Sequence, residues 1–232
     1  MSIISLSLMR LTAVAAMGLS LAGCGRTETY RYKLTLAVDT PEGVRRASSV
    51  GEVQFFDVSI PARGTMHKLR GEALYLDLGP GARPLIALLT SQLHLTYGKE
   101  QGWTLDAGPG TRNLSRIYDL SPSPDFMDDV LRIARMRGPR NVTPADLPDL
   151  VTFANINNPG SVIEVDPNNL RATLGPNIAW RELTLESTDE PVTTGIEKNL
   201  PWLPAYSDKM LDGAHYHDKN TLANTLSTAN FH

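Results

Sequence analysis

Polar and apolar residues alternate most cleanly between residues 30 and 38. Tyr30, Tyr32, Leu34, Leu36 and Val38 fall on one face of an extended chain, and Arg31, Lys33, Thr35 and Ala37 fall on the other. Asp39-Thr40-Pro41-Glu42-Gly43 predicts a turn, with proline fixing one φ and glycine permitting another. Val44 to Phe56 then predicts the returning strand of a hairpin. A third strand is expected over Lys68 to Leu78, with Leu74, Leu76 and Leu78 in phase. The turn Gly79-Pro80-Gly81-Ala82-Arg83-Pro84 leads into a short buried strand over Leu85 to Thr90.

The pattern fades from 91 to 123, which predicts loop with one strand near Leu93 to Tyr97. A helix is expected over about 124–137. Ser123 is placed to cap it, Pro124 suits its first turn, and Gly138-Pro139 stops it. Asp125, Asp128 and Asp129 lie at its positive end, and Arg132, Arg135 and Arg137 at its negative end. Phe126, Val130, Ile133 and Ala134, with Met127 and Leu131 beside them, give it a wide apolar face. Strands follow at Leu150 to Ala154 and Ser161 to Val165, then a helical turn from Asp166-Pro167 to Gly175, then a strand from Ile178 to Glu186. In that last strand Ile178 and Trp180 share one face while Leu183 and Leu185 share the other, a slip that predicts a bulge near Arg181-Glu182. These elements predict an α+β fold: an antiparallel sheet, one main packed helix and an irregular C-terminal tail.

Composition narrows the classes. The chain has 232 residues, 41% hydrophobic and 20% charged, as expected for one globular domain rather than a polytopic membrane protein or a disordered chain. A net charge of −3 argues against nucleic-acid binding, which calls for a basic face. The single cysteine excludes an intrachain disulfide framework and a Cys-rich zinc site.

That cysteine has an informative position. Arg10 precedes an apolar run from Leu11 to Leu21, the length of a signal-peptide core and too short to span ~30 Å of hydrocarbon. The run ends in Leu21-Ala22-Gly23-Cys24, which resembles the lipobox of bacterial lipoproteins. The resemblance implies recognition of Leu21, Ala22 and Gly23 by a signal peptidase, and a diacylglyceryl thioether on Cys24. More than one acyl chain makes such an anchor stable. Gly25, where an inner-membrane lipoprotein of enteric type carries Asp, points to the outer membrane, and Met9-Arg10 is itself a suitable start. The expected organisation is a signal peptide over 1–23, a lipidated N-terminus and short tether over 24–29, an α+β domain over 30–187, and a polar tail over 188–232 packed on that domain.

Several blocks resemble a group of alphaproteobacterial lipoproteins to which no activity is attached. They are Tyr30-Arg31-Tyr32-Lys33-Leu34-Thr35-Leu36, Thr40-Pro41-Glu42-Gly43-Val44-Arg45, Leu150-Val151-Thr152-Phe153, Val165-Asp166-Pro167, Thr188-Asp189-Glu190-Pro191-Val192-Thr193 and Leu200-Pro201-Trp202-Leu203. The resemblance implies a lipid anchor at Cys24 and carries no catalytic residue.

Candidate chemistry is sparse. His215 and His217 would point to one face of a strand, where Asp212, Asp218 or His232 could complete a metal shell; an exposed polar tail that happens to hold two histidines is the plainer reading. There is no HExxH pattern and no G-x-S-x-G elbow. Gly79-Pro80-Gly81 and Gly108-Pro109-Gly110 lack the Gly-Lys-Ser/Thr ending of a phosphate loop and read as turns. Arg132 to Arg140 could face anionic headgroups, although a solvated helix end explains it as well. Trp202, beside prolines, is either an anchor for the tail or a partner-binding strip. The expectation is a non-enzymatic, lipid-anchored binding or assembly module on the periplasmic side. It would need no cofactor and no nucleic acid, and its partners would be the membrane and other envelope proteins. The alternative is an envelope hydrolase or metal-binding protein using His215 and His217.

Overall fold

A computed structural model describes residues 25–57, 65–91 and 108–232. The expected signal peptide, the lipobox and the strand expected near Leu93 to Tyr97 lie outside the described residues.

The alternating segment forms β1 (Thr27–Thr40), which starts inside the expected tether, and β2 (Gly43–Asp57) returns antiparallel to it. Tyr30, Tyr32, Leu34, Leu36 and Val38 are all buried, so the strand phase read from the sequence is the observed one. The expected third strand divides in two. β3 (Thr65–Arg70) extends the first sheet along β2, while β4 (Leu74–Leu76) belongs to a second sheet. Gly71 lies at the break with φ 152°, a conformation that L side chains rarely adopt, and it turns the chain from one layer to the next.

The chain continues through β5 (Leu85–Ala87), a single helical turn α1 (Leu114–Ile117) and the main helix α2 (Phe126–Arg135). Asp125, not Ser123, caps α2, its carboxylate accepting the Met127 amide at 2.9 Å. Ser123 is drawn away because its hydroxyl and amide both donate to Asp129, at 2.6 and 2.9 Å. Burial would raise the pKa of Asp129, but the two bonds from Ser123 and the ion pair with Arg132 outweigh it, and the carboxyl is held below its usual value. The strands β6 (Arg140–Asn141), β7 (Leu150–Phe153) and β8 (Val162–Glu164) lead to α3 (Leu170–Leu174), β9 (Ala179–Ser187) and a last helical turn, α4 (Leu222–Thr225).

The first sheet has the order β3-β2-β1-β9-β6 and the second β4-β5-β7-β8, with every pairing antiparallel. Between β1 and β9 the register shifts: Ala37 faces Glu182 and Val38 faces Trp180, leaving Arg181 as the extra residue. This is the bulge that the change of phase predicts. It lets Ile178, Leu183 and Leu185 all reach the core.

Two cores result. The first holds the inner face of β1, β2 and β9, the apolar side of α2 through Met127, Val130 and Ile133, and one face of the second sheet through Leu74, Leu76, Leu85 and Leu150. The second holds the opposite face of that sheet, with Ile86, Val151 and Phe153, under residues of the C-terminal segment: Ile196, Leu200, Trp202, Leu203, Leu211, Leu226 and Phe231. The segment expected to be a polar tail therefore supplies half of a core. It reaches that face by a strap past the first sheet. The Thr188 amide donates to the Arg31 carbonyl at 3.1 Å, and Lys33 meets Glu190 at 2.7 Å. Thr193 and Val50 exchange bonds at 3.0 and 2.9 Å, on the edge of β2 beyond the end of β3. Glu72, just after Gly71, then accepts the amides of Gly195 and Ile196 at 2.7 and 2.8 Å.

Leu36 is fully buried, whereas Thr35 faces out and touches the Ser48 hydroxyl at 2.9 Å. Leu36→Ala is expected to cost ~2–5 kcal/mol in denaturant unfolding, and Thr35→Ala less than ~1 kcal/mol. The reverse ranking would contradict the layer arrangement.

Candidate functional site

The two ends of β1 carry the candidate features. At its start, the described chain begins at Gly25, one residue after Cys24. Cys24 and the expected recognition residues Leu21, Ala22 and Gly23 lie outside the described residues. A Cβ at Gly25 would lie 2.5 Å from the Asp57 carbonyl oxygen, so only glycine fits that approach. The next residue is tied down on three sides. Arg26 Nε meets Glu28 at 3.0 Å, Nη1 meets Asp125 at 2.6 Å and Nη2 meets Asp128 at 2.7 Å. Hydrogen bonds to Asp128 first, then to Glu28 and Asp125, keep the guanidinium firmly protonated. Asp125 is also the cap of α2, so one carboxylate joins the start of β1 to the start of the helix. The partners stand 99 residues apart, and local sequence spacing carries no signal for this clamp.

At the far end of β1, three turns enclose a groove of about 280 Å³. Its floor is Leu78, Leu174 and Ile178, and its walls are the turns 41–42, 79–82 and 175–177, each carrying a proline. Gly79 and Gly175 take φ 104° and 124°, which lets both turns fold tightly against the floor. Sequence inspection finds each turn but not their convergence, which follows from the pairing of β1 with β2 and β9. With β1 14 residues long, the groove stands roughly 45 Å along the strand from Arg26 at ~3.3 Å per residue.

The remaining sequence candidates lie in the C-terminal segment. His215 and His217 sit in an irregular loop rather than a strand, which removes the alternation that would aim both rings at one ion. His215 Nδ1 lies 3.2 Å from the Asp208 carbonyl oxygen. Asp212 is committed elsewhere: it accepts from Lys219 Nζ at 2.9 Å, the Ala214 amide at 2.9 Å and Asn224 Nδ2 at 3.2 Å. The Lys219 bond is the largest cause, followed by the Ala214 amide, and together they hold the Asp212 carboxyl down to about 2. Asn224, fully buried, also accepts the amides of Asp218 and Lys219 at 2.8 and 2.7 Å and so fixes the loop. Among the described residues no group of three or more His, Cys, Asp or Glu side chains is placed to hold a metal. Trp202 turns inward. Its indole N–H donates to the Ile156 carbonyl at 2.9 Å, and its ring packs edge-on against Phe153 and Phe231, both at 5.6 Å between centroids. The basic stretch is partly paired too, Arg132 with Asp129 and Arg137 with Asp189.

No family model, no curated protein and no solved structure matches the chain.

Two outcomes are expected for the C-terminal segment. Trp202→Ala should cost ~3–5 kcal/mol and lower the thermal midpoint, because it opens the second core, while the double change His215→Ala/His217→Ala should stay within about 0.5 kcal/mol. The second outcome concerns pH. The folded pKa of Asp212 is depressed to about 2 from 3.8, so its ion pair contributes stability above the unfolded value and loses it as pH falls through the folded value. The stability difference between the native chain and Asp212→Asn should be full near pH 5 and gone near pH 2. Unfolding curves at the two pH values check this.

Proposed function

We propose that the chain is a lipid-anchored bacterial envelope protein, a non-enzymatic binding module on the periplasmic side of the outer membrane, attached through diacylglyceryl-Cys24. The observation that supports this reading is the Leu21-Ala22-Gly23-Cys24 motif, which in sequence stands immediately before the first described residue, Gly25. Gly25 packs on Asp57 and Arg26 is clamped by three carboxylates, so the described fold is already tied down one and two residues after Cys24 in the sequence. The three buried carboxylates among the described residues, Asp129, Asp146 and Asp149, are all engaged in structural bonds, Asp149 accepting the Thr90 hydroxyl at 3.1 Å. Asp129 holds Ser123 and Arg132, and Asp146 holds Asn113, Arg116 and Thr143. The groove at the other end of β1 is the surface this reading assigns to binding.

The anchor is tested by metabolic labelling with palmitate in a bacterial host. The native chain is expected to take up label and to lose residues 1–23. Cys24→Ala should take up none and accumulate as the precursor. Label in the Cys24→Ala chain, or none in the native chain, would contradict the reading.

A further inference from the structure

The end of the first sheet nearest Gly25 carries a face that the core does not use. Paired residues of neighbouring strands share a face, so the register sets Thr27, Phe56 and Met66 in one row across β1, β2 and β3. Thr29, Gln54 and Lys68 make the next row on the same face, and Arg31, Glu52 and Arg70 the third. The opposite side, with Tyr30, Tyr32, Val53 and Phe55, is buried. Met66 is 40% exposed and Phe56 half-buried, so the outermost row is apolar and reachable. Behind it, Lys68 has no ion-pair partner among the described residues. In the third row two arginines share one carboxylate, Glu52 accepting from Arg31 Nε at 2.8 Å and from Arg70 Nη1 at 3.3 Å. The face thus holds three cations and one anion, on a chain whose net charge is −3. The strap closes it further along, where Thr193 and Val50 exchange bonds.

The acids at this end belong to the other side. Asp57, of the opposite parity, accepts the Thr65 hydroxyl at 3.2 Å, and Glu28, Asp125 and Asp128 hold Arg26. Successive rows on one face lie two residues apart, about 7 Å along the strand. An apolar row that far ahead of a cationic one matches a membrane interface. Apolar side chains of interfacial elements bury ~5–10 Å into the headgroup and acyl boundary, while Lys and Arg keep their charged heads at its polar side. A second copy of the chain is the weaker occupant, because Lys68 and Arg70 lie on the edge strand β3, where cations discourage pairing between sheets. Chain continuity selects the bilayer. Cys24 is bonded to Gly25, which packs on Asp57 beside the apolar row, so in the lipidated chain the acyl group begins one residue, ~3.8 Å between Cα atoms, from the end of the sheet.

We infer that in the lipidated chain this face rests on the membrane, with Phe56 and Met66 in the interface and Lys68, Arg31 and Arg70 at the phosphates of anionic phospholipid headgroups. The inference rests on the reading of Cys24 as the acylated residue and adds an orientation to it. The sheet stands on this corner, and the groove at the far end of β1 is held away from the bilayer.

The experiment expresses the full chain in a bacterial host, purifies the lipidated protein in detergent and reconstitutes it into phosphatidylcholine vesicles with or without phosphatidylglycerol. Cys24 is the only native cysteine, and acylation blocks its thiol, so a cysteine introduced at exposed Gln54 or Val44 alone takes a thiol-reactive fluorophore. Gln54 lies in the second row, and Val44 lies on the same face near the opposite end of β2. Quenching by phospholipid spin-labelled at the headgroup reads the distance from the membrane, and flotation with the vesicles reads anchoring. The Gln54→Cys label is expected to be quenched, more strongly with phosphatidylglycerol and less at high salt, while the Val44→Cys label stays unquenched. Adding Met66→Asp or Lys68→Glu to Gln54→Cys should remove most of the quenching while the protein still floats and its thermal midpoint in detergent holds. Should Met66→Asp lower that midpoint, the change at exposed Lys68 decides alone. Equal quenching at both positions, none at 54, or quenching at 54 that neither change reduces, in a protein that floats, would overturn the inference and leave the anchor standing. Failure to float would overturn both. Self-quenching of the Gln54→Cys label that rises with protein density, in place of quenching by lipid, would assign the face to a second copy and overturn the inference as well.

Discussion

The alternation of β1 is the constraint on which the structure depends. A strand has period two, so a register slip of one residue would send Tyr32, Leu34, Leu36 and Val38 to solvent and Arg31, Lys33 and Thr35 to the core. Both neighbours of β1 obey its phase. β2 pairs with it along its full length, and β9 keeps step until the extra residue Arg181 restores the inward direction of Ile178. Helix α2 settles on the apolar face so formed, and the second sheet closes the same core from the other side. Tyr32 shows how tight the fit is. A Cβ on Gly51 or Gly110 would come within 2.7 or 2.2 Å of its ring, so any larger residue at either position would push the buried ring out of place.

The parts of the fold legible in sequence are those written by local periodicity. The β1–β2 hairpin, helix α2 with its acidic start and basic end, and the bulge in β9 each follow from a few adjacent residues. What the sequence conceals is set by contacts across long separations. Nothing local shows that the chain changes sheets at Gly71, because Leu74, Leu76 and Leu78 keep the phase of a single strand. The cap of α2 fell to Asp125 because Ser123 found a stronger acceptor in Asp129, a competition that propensity alone does not decide. The C-terminal segment looked polar because its apolar residues are widely spaced and follow no strand or helix period. Its buried residues are gathered by the strap and by Glu72, which accepts amides more than 120 residues away.

The candidate site divides in the same way. The resemblance to a lipobox is a linear pattern and is read directly from residues 21–24. The Arg26 clamp and the three-turn groove exist only when segments distant in the sequence meet. The His215 and His217 pair shows the converse, a linear pattern whose implied geometry depends on a strand that the chain does not form.

The central claim is that β1 is the element through which the Arg26 clamp and the three-turn groove are held in one rigid body. Native-state hydrogen exchange on the full chain in detergent tests it most directly. The account predicts that the amides of Leu34, Thr35 and Leu36 exchange only through global unfolding, while those of the β3 edge open at lower free energy. Exchange of the β1 amides through a smaller opening than those of α2 or the second sheet would contradict it.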